Sequence, residues 1–245
     1  MLKSLTSISI VALAVSFGVS TAFAAAQFPT GDGNKSNGQA IFENGKGDVP
    51  ACNSCHGADG SGDDAMGTPR IAGQYFTFLA KQLEDYATDK RKDETMFVMN
   101  ANAKGLSAQD RRDVATYLAS LKTNFKGSDL AALKEQGIEV GETNFGKSLV
   151  EIGSPELSAC KSCHGYAGRG APPVYPMIGQ QRYTYLVQQL KNLRDGKRTN
   201  DPMGQMQAIA QKMSDEDIIN AATYLTGASF LSSGNFSTPY KNLND

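Results

Sequence analysis

The chain has 245 residues, with 24 Lys and Arg against 25 Asp and Glu, a formal charge of −1, and 40% hydrophobic residues. That balance excludes a disordered tail protein, a polytopic membrane protein and a nucleic-acid binder working through a basic face. The length admits one large domain or two of about 100 residues each, and a mean hydropathy of −0.36 without any Trp describes a polar surface. Only four Cys and two His occur, and all six fall inside two short motifs.

In chain order, Lys3, the apolar stretch Ile8 to Val19 and the small residues around Ala22 to Ala26 read as a secretory signal peptide over 1–24. Cleavage after Ala24 is preferred and after Ala26 comes second. The apolar core is too short for a spanning helix, and no later segment approaches about 18 consecutive apolar residues. The mature protein is therefore expected to be exported and soluble, which places it in the periplasm of a Gram-negative bacterium.

Cys52-Asn53-Ser54-Cys55-His56 and Cys160-Lys161-Ser162-Cys163-His164 both have the C-x-x-C-H pattern of covalent haem c attachment. Two thiols so spaced can each add to one vinyl group of a porphyrin while the adjacent His reaches the iron. Competing readings each meet an obstacle. A thioredoxin-like dithiol needs no His and sits in a βαβ pattern, which is missing here. A zinc ribbon wants its C-x-x-C pairs about 15–20 residues apart, whereas these stand 108 apart. A disulfide within C-x-x-C would leave both His residues unexplained. The expected cofactors are two covalently bound haem c groups.

The halves repeat. An offset of 108 relates Gly38 to Gly146 and Gly45 to Gly153, and an offset of 107 gives 19 identities in 50 positions between Pro69–Leu118 and Pro176–Leu225. Within each half the spacing is helical. Phe76, Leu79, Ala80 and Leu83 match Tyr183, Leu186, Val187 and Leu190, and later helices start at Ser107 and Ser214, with Asp110 and Asp217 three residues on. The expectation is all-α: an N-terminal domain over 25–122, a linker over 123–140, a C-terminal domain over 141–228 and a polar tail over 229–245. Each domain is too small for much core of its own, so a buried porphyrin would supply apolar contact.

Both His residues are consumed as proximal ligands, so a second His on either iron is excluded by count. A Met-x-x-Met recurs at matched distance from each motif, pairing Met96 with Met203 and Met99 with Met206. Met99 and Met206 are the preferred sixth ligands, completing iron sites with His56 and His164. Met96 and Met203 are the alternative, and core filler is the bland reading of any single Met. His/Met ligation raises the reduction potential and closes the iron, which favours electron transfer over catalysis. Pro69 and Pro176 follow their His by 13 and 12 residues. Either each turns its carbonyl to the His Nδ1–H or each starts the next helix. Lys90-Arg91 and Lys197-Arg198 are candidate partners of haem propionates or ordinary solvated charges.

These residues resemble the dihaem class I cytochromes c of the cytochrome c4 family. The similarity runs from about Gly38 to Thr226 and rests on the two C-x-x-C-H-G motifs, Pro-Arg-Ile-Ala-Gly-Gln at 69–74 with Pro-Met-Ile-Gly-Gln-Gln at 176–181, the Gln-Leu pairs at 82–83 and 189–190, and Arg-Thr-Asn at 198–200. The resemblance implies two tandem cytochrome c-type domains related by a pseudo-twofold axis, each wrapped around one haem. It also implies His/Met ligands and single-electron transfer from respiratory donors to a terminal oxidase or reductase, through a membrane cytochrome complex or similar redox proteins. It favours Met99, Met206 and the Pro carbonyl reading. The stretch 130–141 and the tail are longer than the family requires. A dihaem oxidoreductase, or a dedicated redox subunit of a periplasmic dehydrogenase such as one oxidising thiosulfate, is the alternative. Enzymatic activity is not expected, because no spare Cys or distal His is present.

Overall fold

The structure, a computed structural model, describes residues 33–94, 98–121 and 126–229. The leader, Met96, the beginning of the expected linker and the tail beyond Ser229 lie outside the described residues.

The first half builds α1 (Lys35–Asn44), α2 (Asn53–His56), α3 (Phe76–Ala87), α4 (Val98–Gly105) and α5 (Ala108–Ser120). After α6 (Leu130–Glu135), the second half repeats the series as α7 (Thr143–Glu151), α8 (Lys161–His164), α9 (Tyr183–Arg194), α10 (Gln205–Ala210) and α11 (Asp215–Gly227). Among the described residues the only strand-like pairings are isolated bridges. The two capping boxes form as the sequence implies. Ser107 and Ser214 accept from the backbone N–H of Asp110 and Asp217, whose carboxylates accept in return.

In each half the first and last helices cross at a glycine. A Cβ on Gly38 would lie 2.0 Å from the Asp113 carbonyl oxygen, and one on Gly146 would lie 1.9 Å from that of Asn220. Backbone thus packs on backbone, and side chains on either side of the crossing close the core. Ile41, Phe42, Leu79, Val114 and Leu118 form the first core, and Val150, Leu186, Ile218, Ala222 and Leu225 the second. The stripe of α3 turns Leu79 and Ala80 fully inward, with Phe76 and Leu83 packed against the same cluster.

The stretch 123–140 differs from a bare connection. It contains α6, whose Leu133 is buried in the second core with Leu130, Ile138 and Val140 against it. Ser128 Oγ accepts from the Tyr183 N–H at 2.8 Å, and the Tyr183 hydroxyl donates to the Glu139 carbonyl at 2.6 Å. A run of Gly, Ser and Lys hid a six-residue helix too short to show a period, and one buried leucine decides its place.

Candidate haem sites

Each C-x-x-C-H motif is a single helical turn. The His56 N–H donates to the Cys52 carbonyl at 3.0 Å, and the His164 N–H to the Cys160 carbonyl at 2.9 Å. Positions i, i+3 and i+4 share one helix face, so the turn brings Cys52, Cys55 and His56 to one side, and likewise Cys160, Cys163 and His164. Gly57 (φ 82°) and Gly165 (φ 70°) then take left-handed conformations that end the turns and send the chain around the histidine.

Pro69 and Pro176 start no helix; α3 and α9 begin seven residues after each. Instead the Pro69 carbonyl lies 3.0 Å from His56 Nδ1, and the Pro176 carbonyl 2.9 Å from His164 Nδ1. A carbonyl can only accept, so Nδ1 carries the proton and Nε2 keeps its lone pair for a metal. Burial holds both imidazoles below the usual histidine range, against the effect of the carbonyls, and a neutral ring is the form that ligates. Burial also pushes the Cys52 and Cys160 thiols up to about 11, and all four cysteines are unbridged.

Met99 and Met206 sit in the first turns of α4 and α10 and are half-buried. Both backbone N–H groups are held by an aspartate: Met99 by Asp93 Oδ2 at 3.3 Å and Met206 by Asp201 Oδ2 at 2.7 Å. Asn100 is buried beside Met99 and donates to the carbonyls of Tyr86 and Arg91, tying the start of α4 to the end of α3. Met203 is 88% exposed in a short 3₁₀ turn, and its repeat mate Met96 lies outside the described residues.

The Lys-Arg pairs divide. Lys90 and Lys197 are exposed, whereas the two arginines meet at the contact between the halves. Arg91 is buried and donates to Gln82 Oε1 at 2.6 Å in its own half and to Gln189 Oε1 at 2.7 Å in the other. Arg198 donates to the same Gln189 Oε1 at 3.0 Å. Burial and the Arg91 charge push Arg198 down to about 10. Among the described residues neither guanidinium forms an ion pair with a carboxylate. Arg91 is buried and Arg198 half-buried, their hydrogen-bond acceptors are neutral side chains, and Asp93 and Asp201 attract them without pairing; crowding two like charges away from water is costly. A group bringing its own carboxylates, as haem does, fits this place. With the paired thiols and neutral histidines, the donor set in each half matches covalent haem c.

Further contacts between the halves went unforeseen. The Gln74 and Gln181 side chains each reach across to a backbone segment of the other half. Their one sequence signal was the repetition of Gln at the end of the 69–74 and 176–181 runs.

Comparison with known proteins agrees with this arrangement. The family described as Cytochrome c matches the chain twice, over residues 36–122 and 150–229. A cytochrome c4 of Pseudomonas aeruginosa is 36% identical over 185 residues, covering 75% of this chain and 86% of the relative. A thiosulfate dehydrogenase electron acceptor of Thiomonas intermedia is 34% identical over 180 residues, covering 73% and 78%. Among solved structures, reduced cytochrome c4 from Pseudomonas stutzeri superposes with a TM-score of 0.65 at 29% identity, covering 80% of this chain and all of that one. The thiosulfate dehydrogenase TsdBA of Marichromatium purpuratum gives a TM-score of 0.71 at 31% identity, covering 82% of this chain but 42% of that longer one. Two haem c sites, one in each cytochrome c domain, follow from the two motifs and these matches.

Proposed function

This chain belongs to the cytochrome c4 family of dihaem c-type electron carriers, and on that footing we propose that it shuttles single electrons in the periplasm between respiratory donors and a terminal oxidase or reductase. The iron ligands in this reading are His56 with Met99 and His164 with Met206. The observation that carries it is the pair of buried histidines, each with Nδ1 committed to a proline carbonyl and only Nε2 left to coordinate.

The haem groups supply reversible one-electron iron chemistry, and the protein's residues set the conditions for it. The proline carbonyls fix the rings and raise their donor strength. Met99 and Met206 begin helices anchored by Asp93 and Asp201, which supports a thioether held in place. The exposure of Met203 favours Met206 over it as a ligand. Arg91, buried, and Arg198, half-buried, offer donors to propionate carboxylates, and a charge compensated inside the protein reorganises little on electron transfer. No helix of the described residues is long and apolar enough to cross a membrane, and the apolar leader with its small-residue end supports export.

A narrower reading assigns the donor. The similarity to a thiosulfate dehydrogenase electron acceptor and to a thiosulfate dehydrogenase structure favours a periplasmic dehydrogenase of that class as one source of electrons. The test is an optical redox titration of the holoprotein, recording the long-wavelength Met-to-ferric-iron band and the reduced spectrum under carbon monoxide. Two haems with that band and no carbon monoxide binding are expected. A missing band or rapid carbon monoxide binding at one haem would indicate an open iron and a catalytic role. Mixing with a thiosulfate-oxidising dehydrogenase and its substrate should reduce both haems if the narrower reading holds.

A further inference from the structure

The two histidine-to-proline hydrogen bonds do not end within their own domains. The carbonyl that accepts from His56 and the N–H of Arg70 belong to one peptide group, Pro69–Arg70. That N–H donates to Gln181 Oε1 at 2.6 Å, and Gln181 Nε2 donates back to the Arg70 carbonyl at 2.9 Å. In the other direction, the carbonyl that accepts from His164 and the N–H of Met177 belong to Pro176–Met177. Here the N–H donates to Gln74 Oε1 at 3.0 Å, and Gln74 Nε2 donates to the Met177 carbonyl at 2.8 Å. Each glutamine amide therefore brackets a residue of the opposite domain with two hydrogen bonds, and its Oε1 also accepts from the N–H of the residue that follows it, Tyr75 or Arg182. Gln74, Gln181 and Arg70 are all buried.

We propose that Gln181 and Gln74 are positioning residues for the proximal histidine of the opposite domain, Gln181 for His56 and Gln74 for His164, acting through the Pro69–Arg70 and Pro176–Met177 peptide groups. The inference rests on the reading of these histidines as iron ligands. Two physical effects run through each peptide. A peptide group is planar, so holding its N–H in one direction aims its carbonyl in the opposite one. A hydrogen bond accepted from the N–H also polarises the amide and makes its oxygen a better acceptor, as in any hydrogen-bonded chain. Both effects strengthen the Nδ1–H···O bond, give the ring more imidazolate character and stabilise the ferric iron it ligates. Each haem is thereby tuned by the other domain, and parting the domains would raise both potentials.

The test is crossed by design. In the holoprotein, Gln181→Met and Gln74→Met remove the amides while keeping side-chain length. Potentials are measured by spectroelectrochemical titration and assigned to each haem by NMR of the haem methyl groups at each redox stage. Gln181→Met is expected to raise the potential of the haem on Cys52 and Cys55, and Gln74→Met that of the haem on Cys160 and Cys163. The expected change is about tenfold in the one-electron equilibrium constant, or about 59 mV. Thr77→Val removes a bond between the halves to the Pro173 carbonyl without touching either relay, and should leave both potentials in place. A shift confined to the variant's own domain, an equal shift of both haems, or no shift overturns the proposal. If a Met variant does not retain two haems, Gln→Asn at the same position, too short to bracket the peptide, is read in the same way. Haem loss from both variants of a pair also overturns it, because attachment through Cys does not depend on the relay. Loss of the Met-to-iron band in the unaltered protein would instead refute the ligand assignment.

Discussion

Substituting Gly146 by Ala tests whether the α7–α11 crossing holds the second domain closed. The added Cβ would stand 1.9 Å from the Asn220 carbonyl oxygen, 2.6 Å from its carbon and 2.9 Å from Tyr224 Cβ. Carbon atoms pack at about 3.5–4.0 Å, so the helices must part by more than about 1 Å. Rotamer changes cannot relieve the clash, because two of the three obstructing atoms are backbone. Overpacking costs about 1–3 kcal/mol. Parting the helices also stretches the bonds from the Glu142 N–H to Asn220 Oδ1 (2.7 Å) and from the Gly141 N–H to Thr223 Oγ1 (3.0 Å), each worth about 1 kcal/mol. Against this, Ala gains about 1 kcal/mol over Gly in helix propensity. The net expectation is a destabilisation of about 3 kcal/mol, which lowers Tm by roughly 12–24 °C in a domain of this size. Thermal unfolding of the holoprotein followed by haem-region circular dichroism checks it. An unchanged or higher Tm would mean that propensity outweighs the clash and that the close crossing is not needed.

Three further outcomes are expected. Met99→Ala and Met206→Ala should each lower the potential of one haem and open that iron alone to carbon monoxide, by more than about tenfold in the one-electron equilibrium; unchanged ligation in both would return the assignment to Met96 and Met203. Arg91→Gln should lower at least one haem potential, because removing a buried positive charge favours the ferric state, while Arg91→Lys keeps most of the original value; equal potentials in Arg91→Gln and the unaltered protein would remove the propionate role. Asp110 has its carboxyl held down to about 2: burial works to raise it, but hydrogen bonds from Lys46, Ser107 and Asn37 prevail. A depressed acid stabilises the fold above the unfolded carboxylate range and loses that contribution as pH falls from about 4 towards 2, about 2 kcal/mol in all. Asp110→Asn should flatten acid unfolding over that window, and an unaltered acid limb would show that the capping-box carboxylate is not the group responsible.

Much of the site was legible because covalent haem chemistry demands particular residues at short range. C-x-x-C-H needs one helical turn, and the sequence contains both thiols and the histidine within five residues, twice. The capping boxes at Ser107 and Ser214 were equally readable, since a cap is a local hydrogen-bond pattern. The proline carbonyls stood at the edge of legibility: spacing allowed both a helix start and a bond to histidine, and the left-handed turns at Gly57 and Gly165 decide it by folding the chain back. Helix α6 escaped because six residues cannot display a period, and Leu133 becomes informative only when the second core surrounds it.

The amino-acid sequence by itself determined two haem-bearing helical domains, their duplication, the proximal histidines and a short list of methionines, because each of these is written in residues close along the chain. Only the tertiary structure decided that Arg91 is buried with a half-buried Arg198 beside it, and that Gln74 and Gln181 reach into the opposite domain. Those contacts join residues about 100 positions apart. Their meaning depends on which charges lose water and which peptide groups face each other, and both are settled by the packing of the two domains.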